Sequence, residues 1–505
     1  MGWLTDMIAQ VSPRAALSRQ QARLAYDVSK RAYDGASRGR RLKHWNPSGS
    51  SANTENTKAA PTLRARSRDA VRNDAYAKRG ANIWTESAIG SGIIPEPATG
   101  KDALDRQIAE ALEEFVLECD ADGQHDLYGQ QDLACQTIVE SGDVLVRRRN
   151  RRNADGLAVP VQFELMEPDH LDMSKLSSGG NDIVAGIELD RLNRRQAYWL
   201  YRQHPGESRI RDGLSITSNR IPAEMIAHGY VKRRPGQLTG VPMLATALVD
   251  LRDLVEYDQA EAVRKKVEAC FAAFVTSNDP SNPPLLGEES EDDDGRLETL
   301  EPGMIEYLEQ GEDVQFAQPT PSAGYEGYSR QRLHRIASAM DMPYMLLTGD
   351  VSQANWSSYK AGFVPFKGAI RRFQKFTMIP MVCRPQWRWF IDAAYLAGRI
   401  SEVDYSVSFT LPGFEPIDRL KEVMADQMET RIGKTSMQEI IRARGGNPDK
   451  VIAEFVKWAS IVDERELVFD SDPRKVSNAG LTQARPAGTV LPPATPDGAP
   501  DTSQE

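Results

Sequence analysis

Few residues of this 505-residue chain are arranged as reactive groups usually are. Gly433-Lys434-Thr435 matches the end of a phosphate-binding loop, whose backbone N–H groups wrap around phosphates. That loop needs a glycine five positions before Gly433, and Met428 stands there. A glycine closing one helix before the next cap accounts for the same residues. The chain has no GxSxG elbow, no Cys–His nucleophile signature and no dinucleotide-binding glycine motif. Cys119, Cys135, Cys270 and Cys383 form no CxxC pair, and the histidines at 44, 125, 170, 204, 228 and 334 are scattered. The pattern predicts reduced, buried thiols, no metal centre, no cofactor and no enzymatic activity.

Three charged runs remain, and each has two readings. Glu288, Glu289, Glu291, Asp292, Asp293 and Asp294 lack the alternating ligands and central glycine of a calcium loop. They are either a solvated loop or a surface that docks a partner or repels DNA. Arg147, Arg148, Arg149, Arg151 and Arg152 follow a strand-like run and precede Asn153-Ala154-Asp155-Gly156. They are an exposed hairpin tip, or contacts for DNA or an acidic neighbour. Arg371, Arg372 and Lys375 interleave with Phe373 and Phe376, as in one turn of an amphipathic helix or a DNA-facing patch.

The elements that must position these groups are legible in outline. Residues 1–80 hold 16 Lys+Arg against 6 Asp+Glu, a net of +10, whereas the remainder holds 46 against 66, a net of −20. A basic arm on an acidic body implies that the two ends meet different surroundings. Residues 1–60 bury too little apolar surface to fold alone and are expected to stay mobile until a partner orders them. Helical spacing predicts helices over 63–89, 102–118 and 127–140. Short strands are expected at 143–146, 159–166, 183–189, 197–201 and 225–230. A long helix is expected over 243–275, on the order of 45 Å at 1.5 Å per residue, and a second over 326–340. Residues 355–400 read as an aromatic-rich helix interrupted at Pro365, Pro380 and Pro385. Ser436 with Glu439 forms a capping box, and Asn447-Pro448 starts a further helix. From about 471 the chain is expected to be disordered. No apolar run approaches the ~18 residues of a membrane span, so a soluble intracellular product is expected.

The order of several segments resembles the lambda-type portal family of tailed bacteriophages. They are RSRDAVRNDAYAKRGANIWTESAIGSGIIP at 66–95, SGDVLVRRR at 141–149 with FELMEPDHL at 163–171, and LTGVPMLATALVDLRDLVEYDQAEAVRKKVEACFAAFVTS at 238–277. MPYMLLTGDVSQANWSSYKAGF at 342–363 is the most specific, and RIGKTSMQEIIRARGGNPDKV follows at 431–451. Their colinearity carries the resemblance.

The resemblance implies an α+β, predominantly helical portal fold in an elongated subunit of a closed ring of about twelve. The ring would be a channel at one capsid vertex through which double-stranded DNA is packaged and ejected. It implies a flexible arm (1–60), a wing (61–242), a first stem helix (243–275), a clip (276–325) and a second stem helix (326–341). A tunnel loop with a kinked wing helix (342–400), a crown (401–470) and a disordered tail (471–505) complete it. Thr348, Asp350, Gln353 and Asn355 would line the channel, and the acidic 288–294 run would sit in the clip. Partners would be DNA without sequence preference, further copies of the chain, the terminase large subunit, head-completion or adaptor proteins, and major capsid and scaffold proteins, with no membrane. The location would be the virion, and host cytoplasm during assembly. A different head–tail connector or capsid structural protein is the alternative.

Overall fold

The computed structural model describes residues 44–207, 217–269, 273–277, 312–316, 324–352, 355–414 and 418–469, with isolated positions beyond these spans. The acidic run at 288–294, Gln353 and most of the predicted arm and tail lie outside the described residues.

The N-terminal side is a pair of helices, α1 (Ala52–Asn73) and α2 (Ala75–Ile89). Sequence spacing predicts one helix from Leu63, and the structure corrects both its start and its continuity. Ser51 caps α1 by accepting from the Thr54 amide. Asn53 and Asn56 tie its first turns to backbone at Gly236, Leu238 and Thr239. Those long-range bonds order a polar stretch that local propensity alone leaves unfolded. At Asp74 the backbone is extended (φ −112°), and its side chain caps the next helix at Ala77. One short acid thus ends α1 and starts α2.

Strand β1 (Ile94–Pro97) follows, then α3 (Asp102–Glu118) and α4 (Leu127–Ser141), close to their predicted spans. On α3, Leu104, Ile108, Leu112 and Phe115 face the core at three- and four-residue steps. Gly142 then turns the chain from α4 into β2 (Asp143–Asn150) with φ +92°. A Cβ there would lie 2.6 Å from the Val241 carbonyl carbon, so the close backbone approach requires glycine.

β2 is central in an antiparallel three-stranded sheet, between β3 (Val161–Met166) and a strand that arrives much later, Ile226–Tyr230. A five-stranded antiparallel sheet is inserted between them. It comprises β4 (Ser177–Ser178), β5 (Asn181–Val184), β6 (Ile187–Leu189), β7 (Arg195–Tyr201) and β8 (Ser218–Pro222), and the Ile226–Tyr230 strand is β9. Alternation along β2 sends Val144 and Val146 into the larger core and Leu145 into a smaller one with Leu171, Ile187, Tyr198 and Leu200.

The predicted 243–275 helix is shorter in the structure. A 3₁₀ turn (Met243–Thr246) leads into α5 (Leu248–Ala269), about 33 Å long for its 22 residues. Ala273–Ser277 is a strand, β10, paired with β11 (Glu312–Phe316). The apolar, β-branched content of 271–277 suits either state, and pairing with a distant partner decides it. The second predicted helix is α6 (Tyr325–Ala339). It packs on α5 through Arg332, bonded to Asp250 and 3.4 Å from Asp253, and through Tyr257 against Tyr325 and Tyr328.

After the short α7 (Tyr344–Thr348) comes the longest helical run among the described residues: α8 (Trp356–Phe373), a π-helical segment (Gln374–Cys383) and α9 (Arg384–Leu396). Pro365 lies inside α8 without ending it, Pro380 lies in the π segment, and Pro385 begins α9. The wider π turn accommodates the missing N–H, so the run deviates without breaking. Strand β12 (Val407–Thr410) pairs with β1. Helices α10 (Arg419–Arg431), α11 (Met437–Ala443) and α12 (Pro448–Glu464) close the described chain. The two predicted caps are present: Ser436 accepts from the Glu439 amide, and Asn447 from Asp449 and Lys450.

Candidate functional site

Residues 342–352, the short α7 and the turn after it, are held from three sides. Met340 ends α6 with its carbonyl accepting from the Trp84 indole at 2.7 Å. Trp84 is itself buried, edge-on to Phe366 and Phe373. Pro343, extended, starts α7, and Leu347 of that helix is fully buried. Gly80 on α2 faces Met340 and Leu347, and a Cβ there would come within 2.6 Å of the Met340 sulfur. The Arg79 guanidinium donates to the Leu346 carbonyl at 2.9 Å. From α6, His334 stacks on Tyr344 with centroids 4.3 Å apart.

Beyond this anchor Thr348 and Asp350 are half-buried, and Ser352 and Asn355 are exposed. Thr348 donates its hydroxyl to the Tyr344 carbonyl and accepts the Asp350 amide. Gly349 takes the left-handed conformation (φ +75°) that reverses the chain. Asp350 accepts from the Ser352 hydroxyl and amide, and its other oxygen lies 3.8 Å from Arg330. The Ser352 hydrogen bonds, then the Arg330 charge, hold this half-exposed carboxyl below its ordinary range. It therefore carries a full negative charge at neutral pH. Asn355 is exposed and its carbonyl accepts from the Tyr359 amide in the first turn of α8. The structure thus brings Thr348 and Asp350 together, with Asn355 beyond them in the chain.

The basic run has a different fate from a free hairpin tip. β2 continues to Asn150, so Arg147, Arg148 and Arg149 are strand residues opposite Glu164, Phe163 and Gln162. Arg149 pairs with Glu164 at 2.7 Å, Arg148 approaches Asp392 at 3.7 Å, and Arg151 donates to Gln162. Burial and the neighbouring Arg149 lower the pKa of the half-buried Arg147. Arg152 alone of the five is exposed at the strand's end. Gly433-Lys434-Thr435 closes α10, with Lys434 bonded to Glu429 and Thr435 to Glu439.

Two charged clusters escape sequence reading because their members are far apart in the chain. Asp143 is fully buried and accepts from His228 Nε2 at 2.9 Å and the Gly240 amide at 2.6 Å, with Arg64 at 3.5 Å. Burial depresses the His228 pKa against the opposing pull of Asp143, so the ring is neutral and its Nδ1 has no partner. Glu167, Asp169 and His204 also converge. Arg68 already bridges that group, 3.0 Å from Glu167 and 2.5 Å from Asp169. Burial would raise Asp169, but the Arg68 hydrogen bond and the Arg64 charge outweigh it and hold it low. A guanidinium therefore supplies the positive charge this cluster needs. Among the described residues no helix is long and apolar enough to cross a membrane.

The family model described as phage portal protein, lambda family, matches residues 38–374, more than half of the chain. A probable portal protein of Halomonas phage phiHAP-1 is 25% identical over 418 residues, 77% of this chain and 78% of that one. The portal protein of Escherichia phage N15 is 19% identical over 479 residues, 83% and 88% of the two chains. Among solved structures, the neck of a native GTA particle computed with C12 symmetry aligns at TM-score 0.44 and 15% identity, covering 77% of this chain and 94% of that chain. The neck of an empty GTA particle computed with C6 symmetry aligns at TM-score 0.44 and 15% identity, covering 80% and 96%. At that TM-score the likeness carries no argument about assembly. The match across 38–374 carries the family: this chain belongs to the lambda family of phage portal proteins.

Proposed function

We propose that this portal protein is a purely structural subunit that closes with about eleven further copies into a ring around double-stranded DNA. Membership of the portal family carries this reading. The segment carrying Thr348 and Asp350 faces the lumen in it, and the chain does no chemistry. The terminase large subunit docks at residues 276–325 and is replaced there by head-completion or adaptor proteins. The wing, 61–242, meets major capsid and scaffold proteins, and the crown, 401–470, faces the capsid interior. The assembled ring sits in the virion and forms in the host cytoplasm.

The electrostatics of the loop suit a channel. DNA carries roughly one negative charge per 1.7 Å of its axis, and tight phosphate binding would stop it from sliding. An ionised Asp350 on a braced loop, repeated around the ring, keeps the backbone away from the wall. The body's net −20 acts in the same direction.

Negative-stain microscopy of the purified chain tests the assembly: rings with a central hole are expected, and compact monomers would refute it. The expected ATPase rate of the same sample is zero. Asp350→Lys is expected to leave the rings intact and to change packaged DNA length or retention; unchanged DNA handling would remove Asp350 from the lumen.

A further inference from the structure

The outer face of the α8–π run mixes cations with exposed apolar side chains. Its inner face, Phe366, Ile370, Phe373 and Gln374, is buried. Opposite them, Val364, Gly368, Arg372, Lys375 and Phe376 recur at three- and four-residue steps and are exposed. Val364 is 60% exposed and Phe376 69%. Arg371 joins them, and across the groove that Arg372 and Phe376 line stand Lys232 and Arg233 at the end of β9. Among the described residues none of these five cations has an ion pair within 4 Å, and one carboxylate, Asp341, lines the groove. Gly368 and Ala369 form a notch in the same groove, and a Cβ on Gly368 would meet nothing within 4 Å.

Three properties coincide here: uncompensated positive charge, exposed large apolar side chains, and a small-residue notch that lets another backbone come close. A DNA wall needs only the first. An exposed phenylalanine and valine flanking a glycine gain nothing from a duplex phosphate backbone, but they match the side of a protein helix. The complementary charge is available on the chain itself, whose residues after 80 carry a net of −20. A ring is built from heterologous contacts, in which one face of each copy meets a different face of the next.

We propose that this stripe, centred on Gly368 and Arg372, is one half of the contact between neighbouring copies, and that it receives an acidic helix of the next subunit at close range. The inference rests on the ring reading above and deepens it by naming the contact face. It requires the cations to be paired across the interface, so assembly should weaken with added salt.

The decisive variant is Gly368→Leu in the full chain. The side chain enters open space in the monomer and replaces a helical glycine, so the thermal midpoint should not fall. A bulky group in the notch should nevertheless raise the concentration for half-assembly at least tenfold, measured by mass photometry and negative-stain microscopy. The double variant Arg372→Glu with Lys375→Glu should do the same at an unchanged midpoint. Wild-type rings together with normal assembly of either variant would overturn this contact and leave the ring reading standing. Failure of the wild-type chain to form rings at any concentration would overturn both. Normal rings that lose packaged DNA would make the stripe a nucleic-acid surface instead.

Discussion

Two arginine-rich stretches of similar texture, 147–152 at the end of β2 and 371–375 on the α8–π run, differ in how far the chain itself pairs them. Two of the five arginines in the first stretch are ion-paired within the chain, Arg149 with Glu164 on the adjacent strand and Arg148 with Asp392 on α9, and Arg151 is hydrogen-bonded to the neutral Gln162. The helix cations face outward with no ion pair among the described residues, beside exposed Val364 and Phe376. A strand in a sheet has neighbours on both edges, so cross-strand carboxylates lie within reach of its charges. A helix packed by one face leaves the other bare, and charges there stand in solvent with no neighbouring strand to pair them. The sequence pattern of basic residues is thus a poor guide to their pairing state, which the fold decides.

The two faces of the α8–π run should separate most widely under mutation. Phe366→Ala removes a ring that is 1% exposed and packs edge-on against Trp84, and should cost about 3–5 kcal/mol in chemical denaturation. A loss below about 1 kcal/mol would mean that this helix is not part of the core. An intermediate effect should come from the buried charges beside the strand. His228 is neutral when folded, with a pKa below its unfolded value of 6.5, so the unfolded chain binds more protons as pH falls below 6.5. Stability should therefore decline in that range, by no more than about 1.4 kcal/mol per pH unit from this one group. His228→Gln should flatten that part of the profile, and an identical slope would assign it elsewhere. The smallest effect is expected at the strand's partly exposed pair: Arg149→Ala should change stability by less than about 1 kcal/mol, in contrast to the assembly defect of the helix-face charge reversals.

What could be read beforehand follows from the range of the physics involved. The stripes of α3 and α4, the strand alternation around β2 and the caps at Ser436 and Asn447 depend on residues within a turn or two. The Thr348-Gly349-Asp350 turn is equally local, and its identity as a distinct segment was visible in the 342–363 string. The start of α1 was not, because Asn53 and Asn56 find their partners more than 180 positions away. The strand state of 273–277 depends likewise on 312–316. The Arg64–Asp143–His228 cluster gave no signal at all, since three unremarkable polar residues become a network only through burial.

By itself, then, the sequence determined the helices with strong apolar stripes, the missing phosphate loop, the charge asymmetry between arm and body, and, through the colinear order of its segments, the portal family. Tertiary structure alone decided which charges are satisfied. Pairing needs two side chains within about 4 Å, and that distance is set by which distant elements the hydrophobic core brings together, a quantity that no local spacing encodes.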